Sequence, residues 1–301
     1  MSKKHPTTRS NTLSKPIAPL KGVRILSLAL NLPGPAALMR CVAMGATCRK
    51  IEPPSGDPMG HYMPPAYAQL TAGVKVITAD LKTEAGQERI HKELARTDVL
   101  LTSFRPSAMA KLGLDWKTLH KRYPRLSQVA IVGAPGAGAE IPGHDLTYLA
   151  ENGLVNGLEL PATLFADMGG SLMASEAVLQ ATLEHARKGK GVFIEVPLAT
   201  AAGYLALPRQ WGLTLPSGSV GGAHAGYQVY PCKDGRAAVA ALEPHFAAAL
   251  CKLAAVKIKA DPSLAKPATR KAIAAFFAAH TRKQLDALAI EHDLPIHTLP
   301  R

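Results

Sequence analysis

Aromatic residues are scarce: six Phe, two Trp and seven Tyr make up 5% of 301 residues. A protein that reads RNA by stacking bases on exposed rings carries more of them, and a core built with so few must rest on Ala, Leu, Val and Ile. No apolar run approaches the roughly 20 residues that a membrane-spanning helix needs. Residues 1–18 are basic and proline-punctuated and lack the apolar segment of a secretory signal. Their content of Arg and Ser without acids is also that of a transit peptide. Only four cysteines are present, Cys41, Cys48, Cys232 and Cys251, with no CxxC pair. That spacing argues against a disulfide framework or a cysteine metal site and reads as reduced thiols of a cytoplasmic protein. The G-x-G-x-x-G fingerprint and the G-x-x-x-x-G-K-[ST] loop are missing, which weakens dinucleotide and P-loop readings. Dense basic runs are missing too, although the formal net charge is +13. The excess is spread along the chain, which favours a phosphate-bearing small ligand over nucleic acid. Plain surface solubility explains the same excess.

What is present is an alternation of branched apolar runs and helical patterns. Val23–Leu28, Thr47–Glu52, Lys75–Thr78, Val99–Thr102, Leu126–Val132 and Val192–Val196 read as strands. Helical segments run from Pro35 to Met44, from Glu84 to Arg96, from Met168 to Arg187 and from Leu198 to Leu207. Alternation of this kind predicts an α/β fold, a Rossmann-like doubly wound parallel sheet that binds its ligand beyond the carboxyl ends of the strands. Apolar residues cover most of the 168–187 helix, so it is expected to be buried all round. Composition changes after residue 208. The expected organisation is a disordered tail at 1–18, a large domain at 19–208, a mobile Gly-rich linker at 209–223 and a small α+β domain at 224–301. The small domain opens with a hairpin around Lys233-Asp234-Gly235; Ala241–Phe246 then leads into an alanine-rich helix to about Leu253, and further helices are expected near 269–279 and 281–292.

Chemistry concentrates in Gly143-His144-Asp145 and in Ala166-Asp167. An imidazole and a carboxylate brought to one cleft can remove a proton from one face of a substrate and return it on the other. Asp145 and Asp167 each also precede a helical pattern, where aspartate serves as a cap. The two roles are compatible for Asp167, because a helix N-terminus favours the ionised carboxylate.

With these residues laid out, the sequence resembles the family III CoA-transferases, the CaiB/BaiF group that includes the α-methylacyl-CoA racemases. The matching blocks are Gly34-Pro35, Met44-Gly45-Ala46, Lys50-Ile51-Glu52-Pro53-Pro54 and Thr78-Ala79-Asp80-Leu81-Lys82. They continue in order through Phe104-Arg105-Pro106, Leu112-Gly113-Leu114, Gly143-His144-Asp145, Ala166-Asp167, Gly189-Lys190-Gly191, Asp234-Gly235-Arg236 and Leu242-Glu243-Pro244. The resemblance implies an interlocked homodimer that takes coenzyme A or acyl-CoA as substrate, with no metal, nucleic acid or membrane partner. The active site then lies between the large domain of one subunit and the small domain of the other. Asp167 is the reactive carboxylate in this reading. His144 is a second base, and Glu243 orients its imidazole. Arg40, Lys50, Lys75 and Arg105 are expected near the phosphates and adenine of CoA, their alternative being solvated surface.

Gly-His-Asp, Glu243 and a Pro33-Gly34-Pro35 turn with Leu32 before it look closer to the racemase branch. The resulting expectation is proton removal and return at the α-carbon of a 2-methylacyl-CoA. Backbone N–H groups at the start of the helix from Met168 are expected to hold the enolate oxygen. The alternatives are CoA transfer between carboxylic acids through an acyl anhydride on Asp167, and acyl-CoA binding without catalysis. Family members usually continue past the small domain into a segment that returns to the large one, and here the sequence closes at Leu299-Pro300-Arg301. A looser interlock is the corresponding expectation. The Ala134–Glu140 loop and Gly73-Val74-Lys75 also depart from the family pattern.

Overall fold

The computed structural model describes residues 17–256 and 264–301; all but the last two residues of the expected tail lie outside them. Two compact units divide between Leu205 and Ala206. In the first, β1 (Arg24–Ser27), β2 (Thr47–Glu52), β3 (Lys75–Thr78), β4 (Val99–Thr102), β5 (Ser127–Val132) and β6 (Phe193–Pro197) form one sheet in the order β3-β2-β1-β4-β5-β6. Every neighbouring pair is parallel. The helices of this unit are α1 (Pro33–Ala43), α2 (Pro58–Tyr62), α3 (Pro64–Leu70), α4 (Glu84–Leu94), α5 (Pro106–Lys111), α6 (Trp116–Arg122), α7 (Asp145–Glu151), α8 (Phe165–Lys188) and α9 (Leu198–Leu205).

β4 and β5 are buried along their whole length because helices cover both faces of the sheet, as parallel sheets require. Leu38 and Cys41 of α1 and Ala174, Ala177 and Val178 of α8 pack with Ile25, Leu101, Val129 and Ile131 on one face. Ile90 and Leu94 of α4, Met109 of α5 and Leu119 of α6 pack with Leu26, Ile51 and Leu100 on the other. The expected burial of the long helix all round is not what the structure shows. Ala174, Ala177, Val178 and Ala181 face inward, whereas Met168, Leu172 and Leu183 are exposed. Small residues let α8 approach the sheet closely and leave its larger apolar side chains on the outer face.

Strand order reverses between β1 and β4, so the crevice of the doubly wound sheet opens beyond their carboxyl ends. Gly34 is needed there, since a Cβ at that position would sit 2.1 Å from the Cβ of Ala29. α1 can therefore start directly against the chain leaving β1.

The second unit carries α10 (Leu207–Gln210), α11 (Pro244–Leu253), α12 (Pro267–Ala278) and α13 (Arg282–Glu291), with an antiparallel sheet β7 (Tyr227–Cys232), β8 (Gly235–Ala240), β9 (Ile296–Leu299). Its core joins Tyr230, Val239, Leu250, Ile273, Phe277 and Leu285. Cys232 and Gly235 pair across the expected Lys233-Asp234 turn. Within the stretch expected as a mobile linker, the Gly222 and Ala223 carbonyls accept hydrogen bonds from Gln228 (2.8 Å) and Arg270 (2.9 Å). All four cysteines are free, and burial pushes the Cys41 and Cys48 thiols up to about 12. Among the described residues no helix is long and apolar enough to cross a membrane.

Candidate active site

A cleft of about 570 Å³ opens at the carboxyl ends of β1, β4 and β5. His144, Tyr148, Asp167, Arg105 and Tyr62 supply its polar groups, and Leu30, Leu32, Met59, Phe104 and Leu198 much of its apolar wall. The residues that the sequence singled out at 144 and 167 therefore share one cavity.

His144 stands at the N-cap of α7 in an extended conformation. Its backbone N–H donates to the Thr147 hydroxyl at 3.1 Å, and that hydroxyl donates back to the His144 carbonyl at 2.8 Å. The backbone is thus fixed, while the imidazole is exposed. The next residue, Asp145, is buried and accepts the Asp167 N–H at 2.9 Å.

That bond corrects two expectations. Asp167 is the third residue of α8, and the positive helix end was expected to keep it ionised. Instead burial, then the neighbouring Asp145 charge, pushes its carboxyl from 3.8 up to about 6, with His144 acting in the opposite direction. Desolvation and a like charge together outweigh the helix end. The capping role falls to Asp145, and the Met168 N–H donates to the Leu164 carbonyl at 3.0 Å. The backbone donors expected at Met168 are therefore occupied.

The expected CoA cations scatter. Arg105, the N-cap of α5, is exposed and lines the cleft. Lys75 is the exposed first residue of an edge strand, at the end opposite the crevice, and does not line the cleft. Arg40 is on α1 and donates to the Ser175 hydroxyl of α8 at 3.0 Å. Lys50 has no exposed surface; its ammonium is held by Asp57 and, at 2.8 Å, by Glu52. With both partners buried as well, Lys50 is an internal counter-ion and does not reach a ligand, contrary to its expected place near phosphate. Asp57 also accepts the N–H of Asn31 (3.1 Å), a residue with φ of +62° at the mouth of the cleft, so this network fixes the turn after β1. Glu243 is the exposed N-cap of α11 in the second unit and makes no side-chain capping bond.

A second cavity of about 820 Å³ adjoins the first and shares Leu30 and Phe104 with it. Lys82, Lys111, Asp80 and Gln87 ring its apolar floor of Leu28, Ile51 and Ala79. Lys82 and Lys111, which line this cavity, were not singled out in the sequence. Their signal was position, just after β3 and in the helix that follows β4, at the ligand-binding edge of a parallel sheet. Among the described residues no group of three or more His, Cys, Asp or Glu side chains is arranged to hold a metal ion.

A doubly wound sheet whose crevice pairs a nucleotide-sized cavity with an imidazole-and-carboxylate cleft defines a ligand-binding α/β protein equipped for acid–base or acyl chemistry. The chain belongs to CoA-transferase family III, whose profile matches residues 20–300. The alpha-methylacyl-CoA racemase of Homo sapiens is 29% identical over 287 residues, which cover 88% of this chain and 73% of that enzyme. The cinnamoyl-CoA:phenyllactate CoA-transferase of Clostridium sporogenes is 36% identical over 149 residues, 45% of this chain and 36% of that enzyme. The chain thus spans little more than a third of that relative's length. A CaiB/BaiF family protein from Brucella suis superposes with a TM-score of 0.79 at 24% identity, covering 95% of this chain and 85% of that one, a likeness of fold. Racemase and transferase relatives stand at similar identity, so the branch is not resolved by likeness.

Proposed function

We propose that this protein acts on acyl-CoA thioesters, removing the proton next to the thioester carbonyl and returning it, with His144 and Asp167 as the two bases. The observation that carries the reading is the single cleft lined by both side chains, one an exposed imidazole and the other a carboxyl raised to about 6. A base whose pKa lies just below neutral pH is mostly ionised there and still strong enough to take up a proton, the balance that proton transfer needs. A thioester α-proton is acidic because the enolate places its charge on oxygen, and bases on opposite faces allow inversion. Coenzyme A would lay its nucleotide end beside Lys82 and Lys111 and its thioester in the cleft, passing Leu30 and Phe104, which border both cavities.

The same carboxylate supports a second reading, CoA transfer. The likeness to the cinnamoyl-CoA:phenyllactate CoA-transferase favours it, and an unpaired, partly desolvated Asp167 is a competent nucleophile. In either case we take the working species to be a homodimer, with Glu243 of one copy orienting His144 of the other, as the sequence resemblance implies.

Incubation with a 2-methylacyl-CoA in deuterated water tests the first reading. The α-proton exchanges in the wild type, and exchange is lost in His144→Ala and in Asp167→Ala. Absence of exchange over a broad acyl panel, together with an acyl adduct on Asp167 seen by mass spectrometry, would replace it with the second.

A further inference from the structure

Both readings place negative charge on the thioester oxygen, and the backbone donors at Met168 are already used. The cleft holds another donor. Tyr148, on α7 one turn beyond His144, is 5% exposed and lines the cleft, and its hydroxyl makes no hydrogen bond among the described residues. Two glycines make room for that hydroxyl. A Cβ at Gly133 would meet it at 2.3 Å and one at Gly143 at 2.6 Å. A buried phenol normally finds a partner for its O–H. Here the ring packs between Gly133, just after β5, and Gly143, just before α7, while its polar tip opens onto the cavity that also holds Asp167 and His144.

We propose that Tyr148 donates its O–H to the thioester carbonyl oxygen of the bound acyl group and stabilises the oxyanion formed there. The inference rests on the acyl-CoA reading of the cleft but not on the choice of branch. In proton transfer, one base takes the α-proton, the C–H electron pair becomes the C=C bond of an enolate, and the carbonyl π pair moves to oxygen. Reprotonation at carbon reverses both shifts. In CoA transfer, a new bond forms between an Asp167 oxygen and the carbonyl carbon while the π pair moves to oxygen; on collapse the C–S bond breaks and the thiolate leaves. In each sequence the phenol keeps its proton and offers it only as a hydrogen bond, which strengthens as charge builds up on the oxygen. Burial, and then the nearby Asp167 charge, push the phenol pKa up, which keeps it a donor throughout.

Tyr148→Phe removes the hydroxyl and keeps the ring. With acetyl-CoA labelled with ¹³C at the carbonyl, binding to the wild type lowers the carbonyl stretching frequency in difference infrared spectra, and the variant loses more than half of that shift. Turnover, as α-exchange or as CoA transfer, whichever the wild type performs, falls about 10²- to 10³-fold, while KM stays within about threefold. Gly143→Ala, which crowds the hydroxyl without deleting it, moves the frequency in the same direction and serves if the first variant is unstable. An unchanged carbonyl frequency and turnover within threefold of wild type in Tyr148→Phe would overturn the proposal and leave the oxyanion to backbone donors. If His144→Ala and Asp167→Ala still abolish turnover in that case, the acyl-CoA reading stands without Tyr148. A wild type that neither shifts the carbonyl nor turns over any thioester overturns both.

Discussion

Replacing Asp167 by Asn should stabilise the protein while disabling it. Asp167 is forced to carry charge in a partly desolvated site beside Asp145, and its pKa rises from 3.8 to about 6. Each pKa unit corresponds to about 1.4 kcal/mol, so the upper bound is about 3 kcal/mol. With part of the carboxyl still in water, about 2 kcal/mol is the better figure. The sign follows from linkage. The folded-state pKa lies above the unfolded one, so the folded state holds the extra proton between about pH 4 and 6. The contribution of Asp167 to stability therefore falls as pH rises through that window, and the full penalty is present above it. An uncharged isostere removes the penalty. Urea unfolding at pH 7.5 should show Asp167→Asn more stable by about 2 kcal/mol, and at pH 4.5 by only about half as much. Turnover should drop by about 10²- to 10⁴-fold, the contribution of a lost base. Destabilisation at pH 7.5, or an equal gain at both pH values, would refute the argument that the site holds this charge against its surroundings.

The other predictions concern parts around the cleft. Lys50→Met leaves Asp57 and Glu52 buried without their counter-ion and should cost about 3–5 kcal/mol in urea unfolding, largely restored when both acids are made amides; a loss below 1 kcal/mol would contradict the buried pairing. Lys82→Ala and Lys111→Ala should each lower CoA affinity about tenfold, ~1.4 kcal/mol, by calorimetry, whereas Lys75→Ala leaves it unchanged. Cys232 is partly exposed and should react with Ellman's reagent in the native protein, while Cys41 and Cys48, with thiols pushed up to about 12, should react only on unfolding.

Much of the fold was legible because the strands of the large unit are short runs of branched apolar residues between turn signals, and periodicity finds such runs directly. β9 was not, since His297 and Thr298 give Ile296–Leu299 no strong strand signature and it is recruited by pairing with β8. The short helices α2 and α3 follow prolines that read as breakers, although proline is at home in a helix's first turn. His144 and Asp167 were legible as a pair through glycine punctuation and helix starts. Their electrostatics were not: the Asp145 side chain reaches across 22 residues of sequence to take the donor at the start of α8. Lys50 shows the same limit. A basic residue on a strand reads as surface or ligand contact until tertiary structure brings Glu52 and Asp57 around it.

A crystal structure with acetyl-CoA bound decides whether the thioester meets His144 and Asp167 in one cleft. The thioester carbon is expected within ~4 Å of the Asp167 carboxyl, on the side of the cleft that His144 faces, with reacting atoms near contact distance and the adenosine end beside Lys82 and Lys111. A thioester seated away from both side chains, with the cleft left to solvent, would contradict that placement.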